Sequence, residues 1–391
     1  MEELITVFTP VYNRAHTIEQ LYQSLLKQTD LYFEWLVIDD GSEDGIASMI
    51  QQWIQGKDSP FVIRFYQQKN GGKHRAINRG VQLAKGEAFF IVDSDDYLTE
   101  DAIWQIRKWW KTISESCGFA GVSGLRGTEN GKIIGDTPLF GSFADATNLE
   151  RAKYGLLGDK AEVYKTSILK KYPFPEYEGE NFLTEAVVWD KIARDGLNIR
   201  WFNQVIMICE YREDGLTMQG KELFIKNPKG WGLYLNQICE FFQLPLSKKI
   251  ELYFEYYINL KDKIITREIQ RNLWIDEKTM SEVEQLYSSC IKETINKIGR
   301  KVALYGAGNR GKSILALYKD SEVKVSYVLD RKETDLPYLQ VGLYESYPPV
   351  DAIIVTPMHG QDEIVDFLRK HTGNRLIRYD EWAMLIAGVN L

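Results

Sequence analysis

A chain of 391 residues is long for one domain and fits two or three. Apolar residues at 44% and charged residues at 26% are the balance of a globular protein with buried cores. The 55 acids against 48 bases leave a net charge of −7, which excludes a dedicated nucleic-acid binder but leaves room for a local phosphate patch.

The first hundred residues alternate strand and helix patterns. Leu4–Phe8 is a β-rich run, and Ile18, Leu21, Tyr22, Leu25 and Leu26 then fall at helical spacing behind Thr17 and Gln20, a capping-box pattern. Glu34–Ile38 predicts a second strand, Met49, Ile50, Trp53 and Ile54 a second helix, and Phe61–Tyr66 a third strand. Ala76–Lys85 predicts a helix closed by Gly86, and Phe89–Val92 a fourth strand that runs into Asp93-Ser94-Asp95-Asp96. Such alternation predicts an α/β fold with a doubly wound, mostly parallel sheet. From about 118 to 215 the pattern is irregular, with Gly-rich loops over 118–141 and short strands such as Val205–Cys209. Helical stretches follow at Lys248–Glu268 and Glu277–Ile298, and a new α/β pattern starts near Gly299, with strands at 302–305, 323–329 and 352–356. The expected domains are 1–217, a helical middle over 218–298, and a small Rossmann-like α/β domain over 299–391.

Cys117, Cys209, Cys239 and Cys290 are far apart with no C-x-x-C pair, so neither a disulfide framework nor a structural zinc site is expected. The opening MEELITVFTP has acids where a leader needs Lys or Arg, and no apolar run nears the ~20 residues that span a bilayer. A cytoplasmic protein is expected, compatible with peripheral work at the inner face of the cell membrane.

In open α/β sheets, ligands bind at the carboxyl ends of strands. Those ends deliver Thr9, Tyr12 and Arg14, then Asp39 and Asp40, then Asn70-Gly71-Gly72-Lys73, then Asp93 and Asp95. This set suits a nucleotide diphosphate with a divalent metal. Tyr12 would pack on a base or ribose, Asp40 would accept from a base N–H, and Arg14 and Lys73 would meet phosphates. Asp93 and Asp95 offer hard oxygen ligands to Mg²⁺ or Mn²⁺. Singly, each element also reads as a turn or a helix cap; four strand ends agreeing in order are harder to dismiss.

Thr9-Pro10-Val11-Tyr12-Asn13-Arg14, Ile38-Asp39-Asp40-Gly41-Ser42, Asn70-Gly71-Gly72-Lys73, Ala84-Lys85-Gly86-Glu87 and Val92-Asp93-Ser94-Asp95-Asp96 together resemble family 2 glycosyltransferases of the GT-A fold. A weaker continuation reaches Glu210–Thr217 and includes Arg212. The resemblance implies nucleoside binding, usually uridine, by Thr9, Tyr12, Arg14, Asp39 and Asp40. It implies a diphosphate contact at Lys73, a DXD motif at Asp93 and Asp95, and inversion at the anomeric carbon. The implied partners are a nucleotide-sugar donor and a glycan or glycolipid acceptor. The general base belongs to the acceptor half, where the family often carries a Glu-Asp pair before a helix. Glu185 matches the first acid, Ala186 replaces the second, and Glu180 and Asp190 stand in reserve.

Gly306-Ala307-Gly308-Asn309-Arg310-Gly311 follows a strand, opens a helix and is trailed by Asp330, the pattern of a dinucleotide fingerprint. NAD or another nucleotide is the cofactor it would take; otherwise the domain serves structure or docking. Two alternatives to sugar transfer therefore stay open: redox chemistry on a sugar nucleotide through this domain, and a donor-binding scaffold without a working base.

Overall fold

A computed structural model describes residues 3–56, 59–113, 117–209, 220–330 and 347–386. The chain divides into two compact units, Met1–Gln219 with Lys229–Gln237, and Gly220–Pro228 with Ile238–Leu391.

In the first unit, β1 (Ile5–Val11), β2 (Phe33–Asp39), β3 (Val62–Gln67) and β4 (Ala88–Ile91) form the parallel half of a nine-stranded sheet, ordered β3-β2-β1-β4. Helices α1 (Ile18–Leu26), α2 (Ile46–Gly56) and α3 (Lys73–Leu83) make the crossovers that parallel pairing requires. They cover both faces, which is why all seven residues of β2 are buried. Val7, Trp35 and Phe90 pack with Leu21 and Ile50 on one face, while Phe8, Leu36 and Phe89 pack with Ile77 on the other. The sequence alternation thus yields the expected α/β fold with its mostly parallel sheet.

Beyond β4 the order continues β8-β6-β9-β5, built from β5 (Asp96–Leu98), β6 (Phe119–Gly127), β8 (Lys160–Lys165) and β9 (Asn198–Cys209), with β7 (Phe143–Ala146) beside β9. Strand β8 is antiparallel to both β4 and β6. Helix α4 (Ala102–Trp110) lies between β5 and β6 in sequence, and α5 (Thr166–Leu169) and α6 (Ala186–Arg194) follow β8.

Local expectations need four corrections. The stretch over 119–127, read as Gly-rich loop, is an interior strand; a Cβ at Gly121 would lie 2.0 Å from the Val163 carbonyl oxygen, so glycine is needed for strand contact. Thr17 makes no capping box: its hydroxyl donates to the Arg14 carbonyl oxygen. Helix α3 begins at Lys73 rather than Ala76 and ends before Gly86, with Ala84 extended. The helix read over 248–268 is two, interrupted where Ile265 adopts an extended backbone.

The second unit holds α7 (Lys221–Lys226), part of α8 (Pro228–Phe241), α9 (Leu246–Leu260), α10 (Thr266–Leu273) and α11 (Glu277–Lys297). A four-stranded, fully parallel sheet follows, ordered β11-β10-β12-β13, from β10 (Lys301–Tyr305), β11 (Lys324–Leu329), β12 (Ala352–Val355) and β13 (Leu376–Arg378). Helices α12 (Asn309–Tyr318), α13 (Gln361–His371) and α14 (Tyr379–Ile386) complete it. Among the described residues no helix is long and apolar enough to cross a membrane.

Candidate active site

Parallel pairing of β1, β2 and β4 brings their carboxyl ends to one edge, and the loops there are laced together. Asn13, at φ +52, donates its N–H to the Ser42 hydroxyl and accepts from the Glu43 N–H through its side chain. Asp44 accepts from the Ala15 N–H at 2.7 Å. Tyr12 stands half exposed on this lattice.

The two acids after β2 are turned inward. Asp39 is buried, accepting from the Ser42 N–H and the Gln67 amide. Asp40 accepts from the N–H groups of Gly71 (3.0 Å) and Gly72 (2.7 Å) and from the Gln68 amide, so its carboxylate folds the glycine turn around itself. Thr9 is also buried, its hydroxyl accepting from the Trp35 indole.

That turn launches α3, and its first residue is the hub of the site. The Lys73 ammonium lies 2.7 Å from one Asp93 carboxylate oxygen and 2.8 Å from a Glu185 carboxylate oxygen. Residues from three separate segments thus meet at one cation. Burial pulls the Lys73 ammonium down, but the two carboxylates outweigh it and hold the pKa well above the ordinary lysine value. Asp93 is the mirror case: burial favours its neutral form, and Lys73, Arg126 and Arg14 override it and keep the carboxyl below the usual range. Asp95 goes the other way, raised by burial and by the charge of Asp93.

Behind the pair, Asp96 is buried against the Arg126 guanidinium at 3.4 Å, and burial pushes its carboxyl up to about 7. Arg126 also donates to the Lys160 carbonyl oxygen, bracing the acidic loop from β6. Nothing in the sequence signals this role, because Arg126 lies among glycines that read as loop.

The three candidate bases are separated. Glu185 precedes α6 and faces Lys73. Glu180 is taken up by the N–H groups of Lys229 and Gly230 at the start of α8. Asp190, within α6, accepts from the Asn148 amide at 2.6 Å. Arg212 and the rest of Glu210–Thr217 lie outside the described residues.

His74, next to the hub, is 3% exposed, and its Nδ1 has no hydrogen-bond partner among the described residues. Burial, with the charge of Arg75, pulls its imidazole down to about 4 from 6.5. The unfolded chain therefore binds more protons than the fold between roughly pH 4 and 6.5, and stability falls as pH drops through that window, by about 3 kcal/mol in full. Asp96, raised to about 7, contributes the opposite slope in this window, so the measure is a difference. Urea unfolding of wild type and His74→Leu between pH 4.5 and 6.5 should diverge, the variant losing less stability as pH falls.

In the second unit, Gly306 (φ +103) opens the glycine turn, and Asp330 accepts from the Ala307 N–H at 2.6 Å. A Cβ at Gly311 would lie 2.1 Å from the Gly306 carbonyl oxygen, while one at Gly308 would meet nothing within 4 Å. The Arg310 guanidinium lies over the Tyr379 ring.

Residues 6–172 match the model of glycosyl transferase family 2. This segment, less than half of the chain, is similar to that family. The glycosyltransferase GlyG of Streptococcus pneumoniae is 36% identical over 103 residues, which are 26% of this chain and 34% of GlyG. Chondroitin synthase of Pasteurella multocida is 35% identical over 100 residues, 26% of this chain and 10% of that protein. The chain thus spans about a third or less of these relatives' length. Among solved structures, S. aureus TarS 1-349 in complex with UDP-GlcNAc is 18% identical with a TM-score of 0.49, covering 82% of this chain and 88% of that one. The matched segment begins in β1 and ends just after α5, so it contains Lys73, Asp93 and Asp95 and stops short of Glu185.

Proposed function

We propose that the protein is a metal-dependent, inverting glycosyltransferase that moves a sugar from a nucleotide diphosphate, a UDP-sugar, to an acceptor hydroxyl in polysaccharide or glycoconjugate synthesis. The observation that carries this reading is the meeting of Lys73, Asp93 and Glu185, which brings the donor-side acid and the acceptor-side acid to one point. On this reading 1–217 is the catalytic domain, 218–298 a helical middle domain and 299–391 a Rossmann-like domain, in a cytoplasmic protein working at the inner face of the membrane.

In an inverting displacement the acceptor oxygen attacks the anomeric carbon as the bond to the diphosphate oxygen breaks, and the electron pair leaves with the nucleotide. Glu185 takes the acceptor hydroxyl proton. Tyr12 offers its exposed ring to the base, on loops held in place by Asp39, Asp40 and Thr9. Arg14 and Lys73 bring positive charge toward Asp93, where negative charge accumulates on the leaving group.

The residues present fit a divalent cation. Asp95 is raised by burial and then by the charge of Asp93, so the two carboxylates lie near enough to repel, and a cation between them would relieve that repulsion. Mg²⁺ is commonly held by one or two carboxylates together with phosphate oxygens. Asp95 and Asp93 would hold the ion, which supplies charge neutralisation to the departing diphosphate. Asp95→Asn is expected to remove Mn²⁺-dependent release of UDP from UDP-sugars. An unchanged dependence on Mn²⁺ would refute the ligand assignment.

A second reading gives the carboxyl-terminal unit its own nucleotide, NAD among the candidates. It is favoured by the open space at Gly308, where a phosphate would approach the backbone at the start of α12. NADH fluorescence titration is the direct check.

A further inference from the structure

We propose that Glu162, on β8, is a second acceptor-side carboxylate, which hydrogen-bonds a hydroxyl of a neutral sugar acceptor beside Glu185. The inference rests on the glycosyltransferase reading above and adds to it a residue that determines acceptor binding.

The geometry comes from one strand face and one helix. Residues two apart on a strand share a face, so Glu162 lies between Lys160 and Tyr164 on β8. The Tyr164 ring stacks on Trp189 of α6 with centroids 4.2 Å apart. Trp189 donates its N–H to the Glu185 carbonyl oxygen, so Glu185 lies one helical turn away along α6. The Glu162 face of β8 is therefore the face that the start of α6 covers. The electrostatics agree: burial raises the Glu162 carboxyl, the charge of Glu185 adds to this, and Arg151 and Arg126 oppose it.

The partners are what single Glu162 out. No other side chain hydrogen-bonds or pairs with its carboxylate among the described residues, only its own backbone N–H, and it is partly accessible to solvent. Nearby guanidiniums are engaged elsewhere: Arg151 donates to the carbonyl oxygens of Leu156 and Gly158, and Arg126 to that of Lys160 and to Asp96. The Tyr164 hydroxyl, 1% exposed and within the fields of Glu162, Glu185 and Asp190, also lacks a partner. A half-buried carboxylate with one backbone donor has acceptor capacity to spare, and a ligand that brings hydroxyl donors fills it. The positive charges of Arg151 and Arg126 disfavour a cation beside Glu162. A neutral polyol, all hydroxyl donors and no charge, fits. Glu162 also supplies, from another strand, the second acid that Ala186 does not.

The test uses the full-length protein with UDP-glucose and UDP-N-acetylglucosamine, Mn²⁺ and a panel of methyl hexosides, reading UDP release. In wild type, hexosides should accelerate release with a measurable half-saturation. In Glu162→Gln that half-saturation should rise by about 10–100-fold, the loss of one charged hydrogen bond, while stabilisation of the protein by UDP in a thermal-shift assay is retained. If Glu162→Gln loses that stabilisation, the decision passes to Glu162→Asp, whose shorter side chain should raise the half-saturation at least threefold. An unchanged half-saturation in the deciding variant, or a wild type that releases UDP but ignores every hexoside, overturns the role of Glu162 alone. A wild type that releases no UDP from either donor removes the glycosyltransferase reading, and this inference with it.

Discussion

Glu185→Gln is expected to lower sugar transfer by roughly 10²–10⁴-fold, the contribution of a positioned general base, while UDP binds as in wild type. Glutamine keeps the shape of the side chain and its reach toward Lys73, which lies 2.8 Å from the Glu185 carboxylate. It cannot take up the acceptor proton. Lys73 also retains both oxygens of Asp93, at 2.7 and 2.9 Å, so the donor side stays assembled. The measurement is a pair: UDP affinity by calorimetry and transfer rate by UDP release. Transfer within tenfold of wild type would mean that another carboxylate is the base. With Glu180 held by the Lys229 and Gly230 N–H groups and Asp190 by Asn148, Glu162 would then be the next to test.

The second large effect is structural. Gly72 sits at φ +96, and a Cβ built on it would lie 1.7 Å from the Asn181 carbonyl oxygen, closer than any real contact. Gly72→Ala must push the turn off the 181 segment, and it strains a backbone held on the other side by Asp40. Strain at positive φ and overpacking together cost about 3 kcal/mol, or roughly 6–12 °C in melting temperature for a unit of this size. Transfer should fall further than stability alone explains, because Lys73 and Glu185 lie on the two surfaces being forced apart. Gly141→Ala is the control: its Cβ would meet nothing within 4 Å and its melting temperature should not move. A Gly72→Ala protein that melts with wild type would show that the turn and the 181 segment are not in contact.

The amino-terminal half was legible where a pattern repeats. Apolar runs of strand length, each closed by Asp, Gly or Asn, announce parallel strands and put Asp39, Asp93 and Asp95 at one edge of the sheet. Three things were not legible. Glycines at 121, 124 and 127 look like loop because the sequence does not reveal that β6 lies inside a sheet, where the Val163 backbone crowds Gly121 and the Ile206 and Val205 side chains crowd Gly124 and Gly127. The direction of a carboxylate is equally hidden: Asp40 reads as a ligand of the base, yet its oxygens bind the Gly71 and Gly72 N–H groups. And Lys73 reads as a phosphate contact because spacing says nothing of partners on distant segments; that it joins Asp93 to Glu185 emerges only when β4 and the start of α6 converge.

The acidic loop has one property that bears on how this protein can vary. Val92 is still hydrogen-bonded to Phe8 on β1, and Asp96 is already paired with Cys209 on β9, so only the three residues between them are unanchored by sheet. A span fixed at both ends in one rigid layer cannot absorb an extra residue without sliding Asp96–Leu98 along β9 and inverting which side chains face inward. New donor preferences in this scaffold should therefore arise by exchanging side chains around the loop, and length changes should accumulate elsewhere.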